Sequence, residues 1–195
     1  SLRTEKLTTS MAVSKFKRRR NMKKFILRLL LLSSLCLLLA VPALAMNEAA
    51  VQKEMSIGSV ALGDTVAHVE AVYGKPKVYN EGPKIIYLSY NDLYEILAIR
   101  DKEQGTYVVS VGAKANSLMT PGGLHTDMPF SLAQSRLGTP TNVVQADPEL
   151  VKTKNEGFTA TYVLGRRNLR FVVDHTGFVR EIWINHRVAD DPRWN

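Results

Sequence analysis

The sequence is poor in cysteine, and the part that can fold has no excess of charge of either sign. Cys36 is the only cysteine among 195 residues. It lies inside an apolar stretch and follows Leu35 rather than a small residue, so we expect no lipid attachment there. The chain after residue 45 therefore has no disulfide, no thiolate nucleophile and no cysteine-ligated zinc. Packing has to stabilise its fold.

The positive charge is confined to the N-terminal part of the chain. The formal net charge is +8, but residues 1–45 contain 10 Lys or Arg and one acid, whereas residues 46–195 contain 16 basic and 17 acidic residues. The second part is thus close to neutral, at −1. Because a nucleic-acid interface needs basic residues clustered on the folded surface, we expect no nucleic-acid partner.

A secretory signal peptide is predicted over 22–45. Basic residues precede an apolar run over 29–40, and Ala43 and Ala45 supply the small side chains required at the −3 and −1 positions of a cleavage site. Cleavage would place the protein in the periplasm or outside the cell. An uncleaved anchor is the alternative, since the run over 29–45 has 17 residues, at the lower limit for a bilayer span. We expect membrane contact only through this segment.

Met11 and Met22 are both candidates for the first residue of the protein. Residues 1–21 are accordingly either an extended positive region of the signal peptide or upstream sequence that is never translated. After the cleavage site, residues 46–56 are polar with an Ala-rich start, and we expect them to form a flexible lead.

A helix-forming motif occurs twice, over 63–76 and again over 127–140. In each copy, apolar residues three and seven positions apart form a stripe, and a Gly followed two residues later by a Pro ends the helix. The Gly and Pro of the second copy follow those of the first by 64 positions in each case. The stripes consist of Val66, Val69 and Tyr73 in the first copy and of Phe130, Ala133 and Leu137 in the second.

Each motif is followed by β-branched and aromatic runs that alternate with turn residues. Asn91-Asp92 has the spacing and composition of a type I′ hairpin turn, and a long charged loop is expected over 146–157, a place where function is often located. We therefore predict an α+β fold of two tandem small units, each an N-terminal helix packed on a three- to four-stranded antiparallel meander. The expected strands are 85–90, 93–100 and 107–111 in the first unit and 158–164, 169–174 and 179–185 in the second.

This tandem pattern, with its helix ends Tyr73-Gly74-Lys75-Pro76 and Leu137-Gly138-Thr139-Pro140, resembles the secreted module of bacterial outer-membrane assembly lipoproteins of the BamE (SmpA/OmlA) type. The pairing of two such modules is similar to the β-lactamase inhibitor protein. The first family has a lipidated cysteine and the second has disulfides, and neither is available here, so the resemblance implies a fold and not a specific function. The expected division is an upstream region 1–21, a signal peptide 22–45, a lead 46–56, BamE-like units 57–115 and 116–187, and a tail 188–195.

No residue pattern typical of an enzyme is found. The four histidines, His68, His125, His175 and His186, lack the spacing of a metal site, and neither a nucleophile elbow nor a phosphate-binding Gly-rich loop occurs. We expect no catalytic residue, no metal and no cofactor. The predicted function is a non-catalytic interaction module that binds a protein or a cell-envelope component through its sheet. An extracytoplasmic hydrolase with an unrecognised site and a structural envelope spacer are the alternatives.

Strand alternation assigns the side chains of the second unit to two faces of its sheet. The apolar members are expected to face the helix: Leu169, Phe171, Val173, Ile182 and Ile184. The opposite face is the candidate binding surface and receives Trp183, Arg170, Glu181, Thr161 and Thr159. A Trp beside an Arg is typical of interface centres; the alternative is a Trp183 buried between the units or under the tail near Trp194. Three tyrosines of the first unit would extend this surface if they point the same way: Tyr87, Tyr94 and Tyr107.

The first testable prediction is that the mature protein begins at Met46, because Ala43 and Ala45 fit the two small subsites of signal peptidase. N-terminal sequencing of the secreted protein should return Met-Asn-Glu-Ala. An intact start at Met11 or Met22 would contradict cleavage.

Overall fold

The structure is a computed structural model and describes residues 45–186. The candidate start residues, the signal segment up to residue 44 and the tail after 187 lie outside the described residues. No helix in the described range is long and apolar enough to cross a membrane. The helices are α1 (Glu48–Lys53), α2 (Val66–Tyr73), α3 (Phe130–Leu137) and α4 (Pro148–Lys154). The strands are β1 (Ser56–Ile57), β2 (Val60–Ala61), β3 (Val78–Glu81), β4 (Ile85–Tyr90), β5 (Tyr94–Asp101), β6 (Gly105–Ala113), β7 (Asn142–Gln145), β8 (Glu156–Leu164), β9 (Arg167–Asp174) and β10 (Val179–His186).

Eight strands form one antiparallel sheet in the order β3-β4-β5-β6-β10-β9-β8-β7. We call β3–β6 the first half and β7–β10 the second half. The halves join where β10 pairs with β6, with Ile182 opposite Ala113 and Asn185 opposite Ser110. Because β6 and β10 are hydrogen-bonded to each other and run antiparallel, all eight strands form one continuous antiparallel sheet. The α+β class with a large antiparallel sheet and few helices is therefore confirmed.

The predicted ends of the two main helices are confirmed. Thr65 caps α2, since its Oγ1 accepts a hydrogen bond from His68 N at 3.1 Å. Gly74 and Gly138 end α2 and α3 with φ of 75° and 77°, a conformation that favours glycine. The turn at Asn91-Asp92 has φ of 57° at both residues, as a type I′ turn requires.

The core lies on one face of the sheet, under the helices. All five apolar residues of the second half that were predicted to face the helix are buried in it: Leu169, Phe171, Val173, Ile182 and Ile184. The same core contains Leu88, Ile96 and Val111 of the first half, with Val69 of α2 and Phe130 of α3. One apolar core thus spans both halves of the sheet.

The expected flexible lead over 46–56 is corrected by the structure. Asn47 caps α1 by accepting from Ala50 N at 3.1 Å, and its own N donates to Leu137 O at 2.8 Å. Val51 and Met55 are buried in the core. The sequence reading missed this helix because six residues are too few for a periodic pattern, whereas tertiary contacts can stabilise a helix of that length. Part of the expected loop over 146–157 is likewise helical, as α4.

In each half, the same set of hydrogen bonds connects the helix and the segment before it to the sheet. The segment before the helix pairs with a strand through two backbone bonds, and a tyrosine hydroxyl donates to the carbonyl of the glycine that ends the helix. In the first half the bonds are Gly63 N to Val108 O and Val108 N to Asp64 O, each 2.8 Å, and Tyr90 Oη to Gly74 O, 3.1 Å. In the second half they are Asp127 N to Val179 O, 2.7 Å, Val179 N to Met128 O, 2.9 Å, and Tyr162 Oη to Gly138 O, 3.0 Å.

A buried carboxylate organises the turn between β9 and β10. Asp174 accepts hydrogen bonds from Thr176 N (2.9 Å) and Oγ1 (2.6 Å), from Phe178 N (3.0 Å) and from Arg180 Nε (2.9 Å). Burial by itself would raise the pKa of Asp174, but these hydrogen bonds and the charge of Arg180 outweigh it and lower the pKa from 3.8 to about 2.

We predict that Asp174→Asn destabilises the protein by about 2 kcal/mol at pH 7. Because the folded-state pKa lies below the unfolded value, the stabilisation by Asp174 is present above pH 4 and is lost as the pH falls towards 2. Urea unfolding of the wild type and the variant at pH 7 and at pH 2 measures the free energy of unfolding under the two conditions. Asp92→Asn, in an exposed turn, is the control and should have little effect. A difference between wild type and Asp174→Asn that did not change with pH would contradict the assignment.

Candidate functional site

The candidate site lies on the sheet face opposite the core, which we call the outer face. Residues that are directly opposite each other on neighbouring strands share a face. The register therefore sets five residues side by side across five strands, from β8 to β5, in what we call the central row. They are Thr161, Arg170, Trp183, Gly112 and Glu95.

Trp183 is half-buried at the junction of the two halves, and its ring lies against β6. A Cβ atom at position 112 would come within 2.4 Å of Cε3 and Cζ3 of the Trp183 ring. Only Gly112 leaves room for the ring in this position. The indole Nε1 of Trp183 donates to Glu181 Oε2 at 2.7 Å, so its polar edge is also fixed.

Two cations flank the indole. The guanidinium carbon of Arg170 is 5.6 Å and Nζ of Lys114 is 5.8 Å from the ring centroid of Trp183, within the range of cation–π attraction. Lys114 also pairs with Glu95, with 2.7 Å between Nζ and Oε1. Burial would lower the pKa of Lys114, but the hydrogen bond that Lys114 donates to Glu95 and the charge of Glu181 raise it overall. The cluster thus holds two cations and two carboxylates around one aromatic ring.

A second row of polar side chains crosses the junction beside the central row. Ser110 Oγ donates to Asn185 Oδ1 at 2.6 Å, and Asn185 Nδ2 donates to Asn168 Oδ1 at 3.2 Å. This row connects β6, β10 and β9, so that polar side chains as well as backbone bonds tie the two halves together.

The structure brings together the five residues that the sequence suggested for this surface. Arg170 and Trp183 lie in direct contact distance, Glu181 binds the indole, and Thr161 is next to Arg170. Thr159 lies in the adjoining row, which it shares with Glu181 through Val172.

Three contributors from the first half were missed: Gly112, Lys114 and Glu95. Gly112 and Lys114 meet Trp183 through the pairing of β6 with β10, which joins positions about 70 residues apart and leaves no local pattern. Glu95 joins the cluster through its ion pair with Lys114. The one available signal was Gly112 itself, since a glycine inside a strand often marks a close approach of another group.

The side chains of the three tyrosines of the first half do not form one surface. Tyr87 lies opposite Leu97 and therefore on the outer face. Tyr94, whose orientation the sequence left open, does not join it, because this side chain is 1 % exposed in the core and its hydroxyl donates to Ile57 O at 3.0 Å. Tyr107 lines a separate pocket of about 290 Å³, together with Gln104, Arg167 and His186. The aromatic surface is consequently smaller than expected.

Within residues 45–186, no group of three or more His, Cys, Asp or Glu side chains is arranged to hold a metal ion. The residues that line the pocket beside His186 include no carboxylate, serine or cysteine. The charged and aromatic cluster of the outer face is therefore the candidate functional site.

Comparison with known proteins yields weak structural similarities. No protein-family model matches the chain, and no curated protein matches it significantly. Among solved structures, it is similar to a DUF4309 family protein, YjgB, from Bacillus subtilis (18 % identity over 71 % of this chain and 90 % of that one, TM-score 0.43). It is also similar to an extracellular protein containing an SCP domain from Bacillus anthracis (12 %, 64 % and 44 %, TM-score 0.43). A third similar structure is a cysteine-rich secretory protein from Staphylococcus aureus (11 %, 66 % and 45 %, TM-score 0.45). The match covers less than half of each of the last two proteins, and similarity at this level carries no information on function.

We predict that Gly112→Ala displaces the Trp183 ring, because the added Cβ would overlap it. The variant should lose about 1–3 kcal/mol of stability through overpacking, and Trp183 fluorescence should shift to longer wavelength. Emission is recorded in a Trp194→Phe background so that Trp183 is the only indole. Ser110→Ala, on the same strand but in the neighbouring polar row, is the control for emission. Unchanged emission in Gly112→Ala would show that the ring does not rest on β6.

Proposed function

We propose that this protein is a non-catalytic interaction module that binds a protein or a cell-envelope component through the outer face of its sheet. The observation that supports this most is the central cluster, in which a half-buried Trp183 is held between Arg170 and Lys114 on the face opposite the core. Tryptophan and arginine dominate the energetically important centres of interfaces. A partly accessible Trp at the centre of a sheet face is well suited to contact a partner.

We propose an extracytoplasmic location for this module. The support is the predicted signal peptide over 22–45. A neutral folded part, at −1, also favours a protein or envelope partner over nucleic acid.

We also infer that the two halves are repeats of one BamE-like unit, arranged as in the β-lactamase inhibitor protein. Helices α2 and α3 each have eight residues and begin 64 positions apart. The corresponding backbone and tyrosine hydrogen bonds described above support the same interpretation, since unrelated segments would have no reason to share them. None of the three similar structures is described as a member of either family.

The chemistry of the outer face favours binding over hydrolysis. A hydrolytic site needs a nucleophile or an activated water with a positioned base. Both carboxylates of the central cluster are engaged, Glu95 with Lys114 and Glu181 with Trp183. An arrangement of this kind fixes the shape of a surface and is typical of recognition.

We predict that Trp183→Ala weakens capture of the partner by on the order of 2 kcal/mol, or roughly 30-fold, with little loss of folding stability. The secreted protein is immobilised, incubated with extract of its native cell envelope, and the affinity for each captured component is compared between wild type and variant. Leu132→Ala is the matched control, because Leu132 is an exposed apolar residue of α3, on the core side of the sheet.

Two further measurements make this test specific to the outer face. A photo-crosslinking residue at Thr161 should label the partner, whereas one at Leu132 should not. Thermal unfolding of Trp183→Ala establishes that the variant is folded. Undiminished capture by folded Trp183→Ala would contradict the proposed function.

A further inference from the structure

Arg170 differs from other arginines of the described range in having no hydrogen-bond or ion-pair acceptor there. Arginine is always charged at neutral pH and carries five N–H donors in a fixed fork. Four other arginines in residues 45–186 donate to an oxygen of the protein. Their acceptors are Glu81 and Gly82 O for Arg100, Gly122 O for Arg136, Gln52 for Arg167, and Asp174 and Asp127 for Arg180.

The position of Arg170 is nonetheless fixed. Its Nε is buried and has no acceptor among the described residues, while its guanidinium lies over the ring of Trp183 at 5.6 Å. A donor left without an acceptor lowers stability, and the stacking holds the guanidinium in one orientation at the centre of the outer face. The fork is therefore pre-organised before any partner arrives.

The carboxylates nearest to this centre are already engaged. Glu95 pairs with Lys114 at 2.7 Å, and Glu181 accepts from Trp183 Nε1 at 2.7 Å. Glu95 thus compensates Lys114, whereas Glu181 keeps its charge because the indole is neutral. Neither carboxylate is an ion-pair or hydrogen-bond partner of Arg170, so a partner can supply the acceptor that Arg170 lacks among residues 45–186.

An acidic side chain fits this point. The planar fork of arginine binds the oxygens of a carboxylate or a phosphate in a bidentate pair, and of these two groups only the carboxylate is carried by unmodified protein side chains. A polyanion such as a nucleic acid would need many cations spread over the surface, and the part of the chain after residue 45 carries a net charge of only −1. We propose that Arg170 binds an Asp or Glu side chain of a protein partner, so that the partner presents an acidic residue to the centre of the outer face. This inference rests on the proposed function.

The test uses the ¹⁵N-labelled secreted protein and records the Nε–H resonance of Arg170 and the Nε1–H resonance of Trp183. The two probes are the peptides acetyl-Thr-Val-Glu-Val-Thr-amide and its Gln counterpart, at constant ionic strength. The Glu peptide should shift both resonances saturably and bind at least about tenfold more tightly than the Gln peptide. Sodium acetate should compete with the Glu peptide more effectively than inorganic phosphate does.

Three variants assign the effect to the guanidinium, with the Trp183 resonance as the readout. Arg170→Gln should lose about tenfold or more in affinity for the Glu peptide, and Arg170→Lys should retain part of it, because lysine keeps the charge without the fork. Lys102→Gln, in the exposed turn between β5 and β6, removes one positive charge elsewhere and should bind as the wild type does. Spectra of each variant also report whether it is folded.

Several results would overturn the assignment of Arg170. These are equal affinity for the Glu and Gln peptides, undiminished binding by Arg170→Gln, stronger competition by phosphate than by acetate, and the absence of any response to either peptide. If both peptides shift the Trp183 resonance equally, the outer face still binds extended peptide and only the carboxylate inference fails. Undiminished capture by Trp183→Ala, in contrast, contradicts the proposed function itself.

Discussion

The pairing of β6 with β10 is the interaction on which the rest of the structure depends. Four cross-strand pairs, from Ile182–Ala113 to Asn185–Ser110, join two four-stranded meanders edge to edge. Each meander alone would leave the strand that forms the junction, β6 or β10, as an open edge. It would also expose its share of the apolar residues that form the common core. Joined, they share one core, in which Ile184 of the second half and Val111 of the first lie opposite each other and are both fully buried.

The same pairing creates the candidate site. Trp183 comes from β10, whereas Gly112, Lys114 and Glu95 come from the first half, so no half contains the cluster alone. The alternation of side chains places Ile182 and Ile184 in the core and Trp183 between them on the other face. Stability and recognition are thus supplied by adjacent residues of one strand, and changes to the outer face need not disturb the core.

The local features of the fold could be predicted because they depend on short-range sequence patterns. The helix ends at Gly74 and Gly138, the turn at Asn91-Asp92 and the inward-facing residues of β9 and β10 follow from backbone sterics and from a two-residue period. Helix α1 was missed because its formation depends on the burial of Val51 against the rest of the core. The orientation of Tyr94 was left open because its strand carries apolar residues on both faces.

The sequence by itself determined which residues of each strand share a face and where the helices end. Those features depend on neighbours within a few residues, for which φ, ψ and side-chain alternation are sufficient. Only the tertiary structure decided that Gly112 lies under the indole, that Lys114 lies beside it with Glu95 as its ion-pair partner, and that Arg170 is left without a carboxylate among residues 45–186. These contacts join strands distant in the chain, and the register of β6 against β10 is set by the packing of the whole core.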